Sequence, residues 1–347
     1  MNTTITLNQA ANLIALSGNN VSYLLSGEPG VGKSAVLGAI AAQLPTHKPV
    51  YVEAQTLDLG DIQMPKMGDN AVRFVPNALF QPDSPNQPLI IMLDELGKAM
   101  RPVQNAFLRL LHERKLGEFT LPAGSIVFAT TNLATDGVGD NLQAHAKNRV
   151  TQVVIGKPTS DEWLVWAAAN GIAPEVMAWV HEYPHALASY TDESQADNPY
   201  IFNPRKQQTA FVSPRSLEKA SYIVRERINF DPETVTAALA GTIGESAARD
   251  MQAFLSVADT LPRWGRIVTD PENSPVPDSA IAQSILALSS IQRIDAANLT
   301  PWLTYLPRLR PELQAMWASQ AMRSSKAGIV ATNRAFTTLQ TKNSWMF

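Results

Sequence analysis

Residues Gly27-Glu28-Pro29-Gly30-Val31-Gly32-Lys33-Ser34 fit G-x-x-x-x-G-K-[ST], the pattern of a phosphate-binding loop, and constrain this chain more than any other stretch. The flanks agree with the motif. Val21 to Leu25 is an apolar, β-branched run that predicts a strand, and Val36, Leu37, Ile40, Ala41 and Leu44 keep helical spacing after the loop. Strand, glycine-rich turn and helix let backbone N–H groups point inward around an anion at a helix N-terminus. In such a loop all eight residues line the nucleotide phosphates, Lys33 reaches the β- and γ-phosphates, and Ser34 holds Mg²⁺.

Other strands follow the same alternation. Pro49 to Glu53 predicts a second strand, and Leu89-Ile90-Ile91-Met92-Leu93 is a continuous apolar run of the kind buried on both faces of a parallel sheet. It ends in Asp94-Glu95, where open α/β sheets bind ligands. Downstream of a phosphate loop this pair reads as a metal ligand, Asp94, and a base, Glu95, rather than as acidic residues capping the next element. Pro102 suits a first helical turn, and Val103, Ala106, Phe107, Leu110 and Leu111 carry that helix to Arg114. Leu116 to Pro122 is a hairpin or a loop. Ser125 to Ala129 is a fourth strand, followed by Thr130-Thr131-Asn132; a short helix around Leu142 to Lys147 precedes Arg149 and a fifth strand, Val150 to Ile155. Five strands alternating with helices predict an α/β fold with a parallel sheet covered on both faces. A helix over 8–17 should bury Ala11, Leu13, Ile14 and Leu16; residues 64–76 read as a turn-rich surface hairpin or a projecting substrate loop.

Beyond Lys157-Pro158 the pattern turns helical, with helices expected near 160–170, 174–182, 214–229, 232–240 and 244–258 and an irregular insertion over 184–212. Asp270 to Pro277 is Pro-rich and reads as a linker, after which 278–341 predicts three or four helices around Trp302, Leu306 and Trp317.

Composition narrows the partners. Among 347 residues the net charge is −3, so nucleic-acid binding draws no support from bulk electrostatics. The absence of cysteine excludes disulfides, thiolate zinc sites and cysteine nucleophiles. Met1 to Asn20 lacks a basic segment followed by an apolar one, and no apolar run has membrane-spanning length, so a cytoplasmic location is expected.

Taken together, these motifs resemble an AAA+ ATPase of the MoxR-like branch over about residues 20–230. GEPGVGKS corresponds to Walker A and LIIMLDE to Walker B; TTN at 130–132 looks like sensor 1, and Ser213-Pro214-Arg215-Ser216 looks like sensor 2 opening a lid helix. The segment from Asp94 to Gly117 is similar to the MoxR-like pattern between Walker B and sensor 1. Asn148-Arg149-Val150 occupies the place of the family's Asp-Arg-Phe, with both flanking residues departing from it.

The resemblance implies an ATP- and Mg²⁺-dependent hydrolase. Asp94 would contact the metal directly or through water, Glu95 would orient or deprotonate the attacking water, Asn132 would bond the γ-phosphate or that water, and Arg215 would sense phosphate from the lid. Arg149 would act as a finger in the site of an adjacent subunit of a homo-oligomeric ring, in this class typically a hexamer, with Arg101 and Arg114 as alternatives. With the change of pattern at Lys157-Pro158 and the Pro-rich stretch, three parts are expected: an AAA+ α/β domain over 1–157, a helical lid over 158–261, and a helical extension over 262–347, with no assignable motif in 230–347. The resemblance also implies remodelling of a protein partner, commonly one bearing a von Willebrand factor A-type domain. The competing readings are a DNA- or RNA-linked motor and a nucleotide-switched adaptor, the latter disfavoured by intact Asp94 and Glu95.

Two further patterns compete for attention. His181-Glu182-Tyr183-Pro184-His185 matches the zinc-peptidase motif H-E-x-x-H, but Pro184 should end the helix that would place both histidines on one face. Arg263-Trp264-Gly265-Arg266 and Arg308-Leu309-Arg310 could form a basic-aromatic nucleic-acid patch; a solvated helix face over core aromatics is the commoner meaning.

Overall fold

The computed structural model describes residues 3–67, 72–133 and 148–342, which divide into two compact units, Met1–Lys157 and Pro158–Phe347. The helix expected around 142–147 lies outside the described residues.

The first unit is built on a six-stranded sheet: β1 (Thr4–Ile5), β2 (Tyr23–Gly27), β3 (Lys48–Glu53), β6 (Leu89–Asp94), β9 (Ile126–Asn132) and β10 (Thr151–Ile155). The spatial order is β1-β10-β2-β9-β6-β3, and every neighbouring pair is parallel. Parallel pairing puts all the strand C-termini on one edge, which is where the phosphate loop and the Asp94-Glu95 pair both emerge. β6 is buried along its whole length, as its unbroken apolar run requires. Ile90 and Met92 face α1 (Leu7–Ser17) and α2 (Ala35–Gln43) in a core with Ala10, Ile14, Val36 and Ile40. Leu89, Ile91 and Leu93 face the other way, toward Val103, Phe107 and Leu111 of α4 (Arg101–Glu113).

Several elements differ from the pattern-based expectation. The sheet gains β1, too short to show a period of two, and β2 runs two residues later than Val21 to Leu25. In α1 the buried residues are Ala10, Ala11 and Ile14, whereas Leu13 and Leu16 are 38% and 86% exposed. The helix therefore lies on the sheet through small residues that allow close approach. Between β3 and β6 a short helix, α3 (Leu59–Ile62), is fixed by a capping box between Asp58 and Asp61. It leads into an antiparallel hairpin, β4 (Gln63–Met67) and β5 (Val72–Pro76), with Met64, Met67 and Phe74 exposed. Residues 115–120 form a second hairpin, β7 (Lys115–Leu116) and β8 (Phe119–Thr120).

The second unit is helical. One apolar core runs from Trp163 through Leu217 and Met251 to Trp302 and Leu339, crossing the 261/262 division suggested by the Pro-rich stretch. Its centre is the helix Ala280–Arg293, in which every residue from Ala282 to Ile291 is buried. A helix buried on all sides belongs to the middle of a bundle. Ser289 and Ser290 donate locally to Leu286 O and Ala287 O, and Ser290 Oγ also accepts the indole N–H of Trp317 at 2.7 Å.

The Pro-rich stretch is clasped. Prolines cannot donate to a ladder, but their carbonyls still need donors. Tyr305 Oη donates to Pro275 O at 2.7 Å, Arg308 to Pro271 O at 2.7 Å and Gln283 to Pro277 O at 2.7 Å. Arg308 also lies over the Tyr305 ring, Trp264 packs on Trp302, and Leu309 is buried, so the aromatic members of the suspected basic patch belong to this core.

The zinc-peptidase spacing is broken at the expected place. Helix Pro174–Glu182 stops at Tyr183, and Pro184 opens a separate single turn through Leu187. His185 packs instead against the Tyr183 and Tyr200 rings. Among the described residues no helix is long and apolar enough to cross a membrane.

Candidate nucleotide site

The site is assembled at the C-terminal ends of three adjacent strands. β2 ends at Gly27, which is in register with Asn132 at the end of β9, and Leu93 of β6 is in register with Ala129, bringing Asp94 alongside Thr130. The loop Glu28–Ser34 then turns into α2, with Gly30 and Gly32 at φ +73° and +103°. Side chains rarely adopt that left-handed region, so the two glycines allow the bend. Ser34 is the N-cap residue, and its hydroxyl makes no capping bond to the helix.

Lys33 is 8% exposed and folds back over the loop. Its Nζ donates to Gly27 O at 2.7 Å, Glu28 O at 3.1 Å and Asn132 Oδ1 at 3.0 Å. The lysine and the strand-end asparagine therefore share one polar centre. Glu28 is buried within the loop, and Lys157, two residues past β10, feels its charge. Desolvation pushes the Lys157 ammonium down to about 8, against the pull of Glu28.

Asp94 is 9% exposed and accepts two hydroxyls, Tyr51 Oη on Oδ2 at 2.7 Å and Thr130 Oγ1 on Oδ1. Glu95 follows with φ +52° and ψ +39°, a left-handed conformation that costs a non-glycine residue roughly 1–2 kcal/mol. Its backbone N–H donates to Thr130 Oγ1 at 3.2 Å, and its carboxylate pairs with Lys98 Nζ at 2.7 Å. Tyr51 and Lys98 were not singled out from the sequence, and Thr130 stood there only as part of Thr130-Thr131-Asn132. Thr130 stands two residues before Asn132, on the same face of β9, which is the one signal that could have found it.

Residues 23–154 match the profile of the ATPase family associated with various cellular activities, AAA. This unit carries an AAA domain. Solved structures similar to the chain include NtrX from Brucella abortus in complex with ADP, 17% identical with a TM-score of 0.42, covering 98% of this chain and 67% of that one. The RuvB Holliday junction branch migration motor of Thermotoga maritima is 17% identical with a TM-score of 0.36, covering 87% of this chain and 86% of its own. No curated protein matches the chain.

The arginines separate by position. Arg149 is exposed in the turn before β10, at the strand edge opposite the AAA domain's phosphate loop. Six residues of strand rise place it about 20 Å from the level of Gly27. It does not belong to its own chain's site. Arg114 caps α4 in a left-handed conformation and turns inward: its guanidinium donates to Ser22 Oγ at 2.6 Å, to Gly18 O at 3.0 Å and to Leu111 O. Ser22 precedes β2, so the Arg114 guanidinium is engaged on its own chain at that edge of the sheet. Arg101 is exposed at the start of α4. In the helical unit, Ser213 caps the helix Pro214–Glu226 through a capping box with Ser216, which leaves Arg215 exposed in its first turn.

Proposed function

We propose that the chain is a Mg²⁺-dependent ATP hydrolase that works as a ring, expected to be a hexamer, and remodels a protein partner. The observation that carries the hydrolase reading is the convergence of Lys33, Asn132, Asp94 and Glu95 on one edge of three neighbouring strands. The donor set fits the groups: an ammonium and loop N–H groups suit polyphosphate, and the Ser34 hydroxyl with the Asp94 carboxylate suits a hard, oxygen-seeking cation. Mg²⁺, when bound, neutralises charge between the phosphates.

The protein's own residues do the rest. Lys33 exchanges its carbonyl contacts for phosphate oxygens, and Asn132 holds the water or the γ-phosphate. Glu95 leaves Lys98 to orient that water and take its proton. Arg215 on the lid and Arg149 from a neighbour add positive charge as the leaving group departs. By resemblance the partner carries a von Willebrand factor A-type domain, and the location is cytoplasmic.

Lys98 is a minor restraint on this chemistry. Its pair with Glu95 is partly exposed, 29% and 26%, and such pairs contribute up to about 1 kcal/mol. Lys98→Ala should therefore raise steady-state turnover by no more than about fivefold.

The test of the whole reading is hydrolysis with and without nucleic acid. We expect Mg²⁺-dependent ATP turnover that DNA leaves unchanged, and no DNA binding that falls steeply with salt, given the net charge of −3. Submicromolar, salt-sensitive DNA binding that stimulates turnover would replace the protein-remodelling reading with that of a nucleic-acid motor.

A further inference from the structure

We propose that Thr130 is the positioning residue that locks Asp94 and Glu95 into one unit, with Tyr51 as a second hydroxyl on Asp94; this rests on the roles given to that pair above. The hydrogen-bond directions at Thr130 are fixed by chemistry. An ionised carboxylate only accepts and a backbone N–H only donates. The single Thr130 hydroxyl proton therefore goes to Asp94 Oδ1, and a lone pair receives the Glu95 N–H. One side chain, fully buried on β9, thus holds the carboxylate assigned to the metal and the backbone of the residue assigned to the water. Glu95 needs that anchor, because its left-handed backbone is not one a glutamate adopts unaided.

Tyr51 reaches Asp94 Oδ2 from the edge strand β3. Tyr51 is 46% exposed, so loss of its hydroxyl disturbs packing little. The two hydroxyls take one site on each carboxylate oxygen and leave the remaining lone pairs for a cation. Groups that hydrogen-bond a metal-binding carboxylate hold its orientation, and their removal costs about 10–100-fold in metal affinity or activity.

The experiment compares Thr130→Val, Thr130→Ser and Tyr51→Phe with wild type. It uses electron paramagnetic resonance of Mn²⁺ taken up with ADP, ADP affinity in EDTA, and steady-state ATP hydrolysis. We expect metal-free ADP affinity within about twofold throughout. Thr130→Val should weaken Mn²⁺ uptake about 10–100-fold and lower turnover at saturating metal by a similar factor. Thr130→Ser, which keeps the hydroxyl, should restore both to within about threefold of wild type. Tyr51→Phe should weaken Mn²⁺ uptake as well. If the valine variant does not fold, Thr130→Cys, near in size and a poor donor, carries the comparison. Wild-type metal uptake in Thr130→Val, or equal impairment of the serine and valine variants, would overturn the proposal. A wild-type protein that takes up Mn²⁺ with ADP yet does not hydrolyse ATP would sink the hydrolase reading, while the metal measurement still decides the role of Thr130.

Discussion

Lys33→Ala is expected to abolish measurable nucleotide binding, whereas Glu95→Gln is expected to keep it and lose turnover by about 10²–10⁴. The two effects separate because the residues act at different stages. Lys33 is buried within the loop, and its ammonium is the group that can exchange carbonyl oxygens for phosphate oxygens without moving the backbone. Its removal also deprives Gly27 O, Glu28 O and Asn132 Oδ1 of a common donor, so the loop loses its internal tie as well as its charge. Glu95→Gln is nearly isosteric and keeps the backbone N–H bond to Thr130, so the geometry around Asp94 stays intact. What goes is the carboxylate that can accept a proton from water, together with the pair to Lys98. Equilibrium binding of a fluorescent nucleotide and steady-state hydrolysis distinguish the outcomes. A Glu95→Gln protein that turns over like wild type would show that another group activates the water.

These residues were readable from the sequence because each motif is local. The eight residues of the loop are contiguous, and Asp94-Glu95 follows directly on the apolar run that predicts its strand. The supporting contacts were not readable, because they depend on which strands are neighbours. Nothing in the spacing of Tyr51, Asp94 and Thr130 announces that β3, β6 and β9 lie side by side. The left-handed backbone of Glu95 was hidden for a related reason: it is held by a bond to Thr130 rather than by any local preference of glutamate. In α1 the periodicity pointed to Ala11, Leu13, Ile14 and Leu16; packing buries Ala11 and Ile14 together with Ala10 and leaves Leu13 and Leu16 exposed. The stretch 270–277 had the composition of a linker, and only the donors from Gln283, Tyr305 and Arg308 make it part of a core. Arg114 looked like a candidate finger, and only the structure shows its guanidinium on carbonyls at the far edge of the sheet.

Arg149→Ala is expected to lower turnover by about 10³–10⁵, the loss typical of an arginine finger, while changing nucleotide affinity little. The position of the residue argues for action in trans. Parallel pairing of β10 with β2 puts Arg149 at the strand edge away from its own phosphate loop, and its side chain is exposed there. A guanidinium so placed can reach phosphate only on another copy of the chain. That geometry gives a mixing test. Arg149→Ala and Lys33→Ala subunits should each be inactive, the first for want of a donated charge and the second for want of a phosphate loop. A mixed assembly contains interfaces that pair an intact loop with an intact Arg149, so mixing should restore partial hydrolysis that rises with protein concentration. Sizing of the mixture must first show that the variants assemble and exchange. With exchange shown, a failure to recover activity means either that Arg149 is not the finger or that the subunits must fire together, and Arg101→Ala in the same mixing design separates these two. Specific activity that stays constant on dilution to a sized monomer would remove the trans-acting arrangement altogether, because a lone chain cannot bring Arg149 to its own loop across the length of β10.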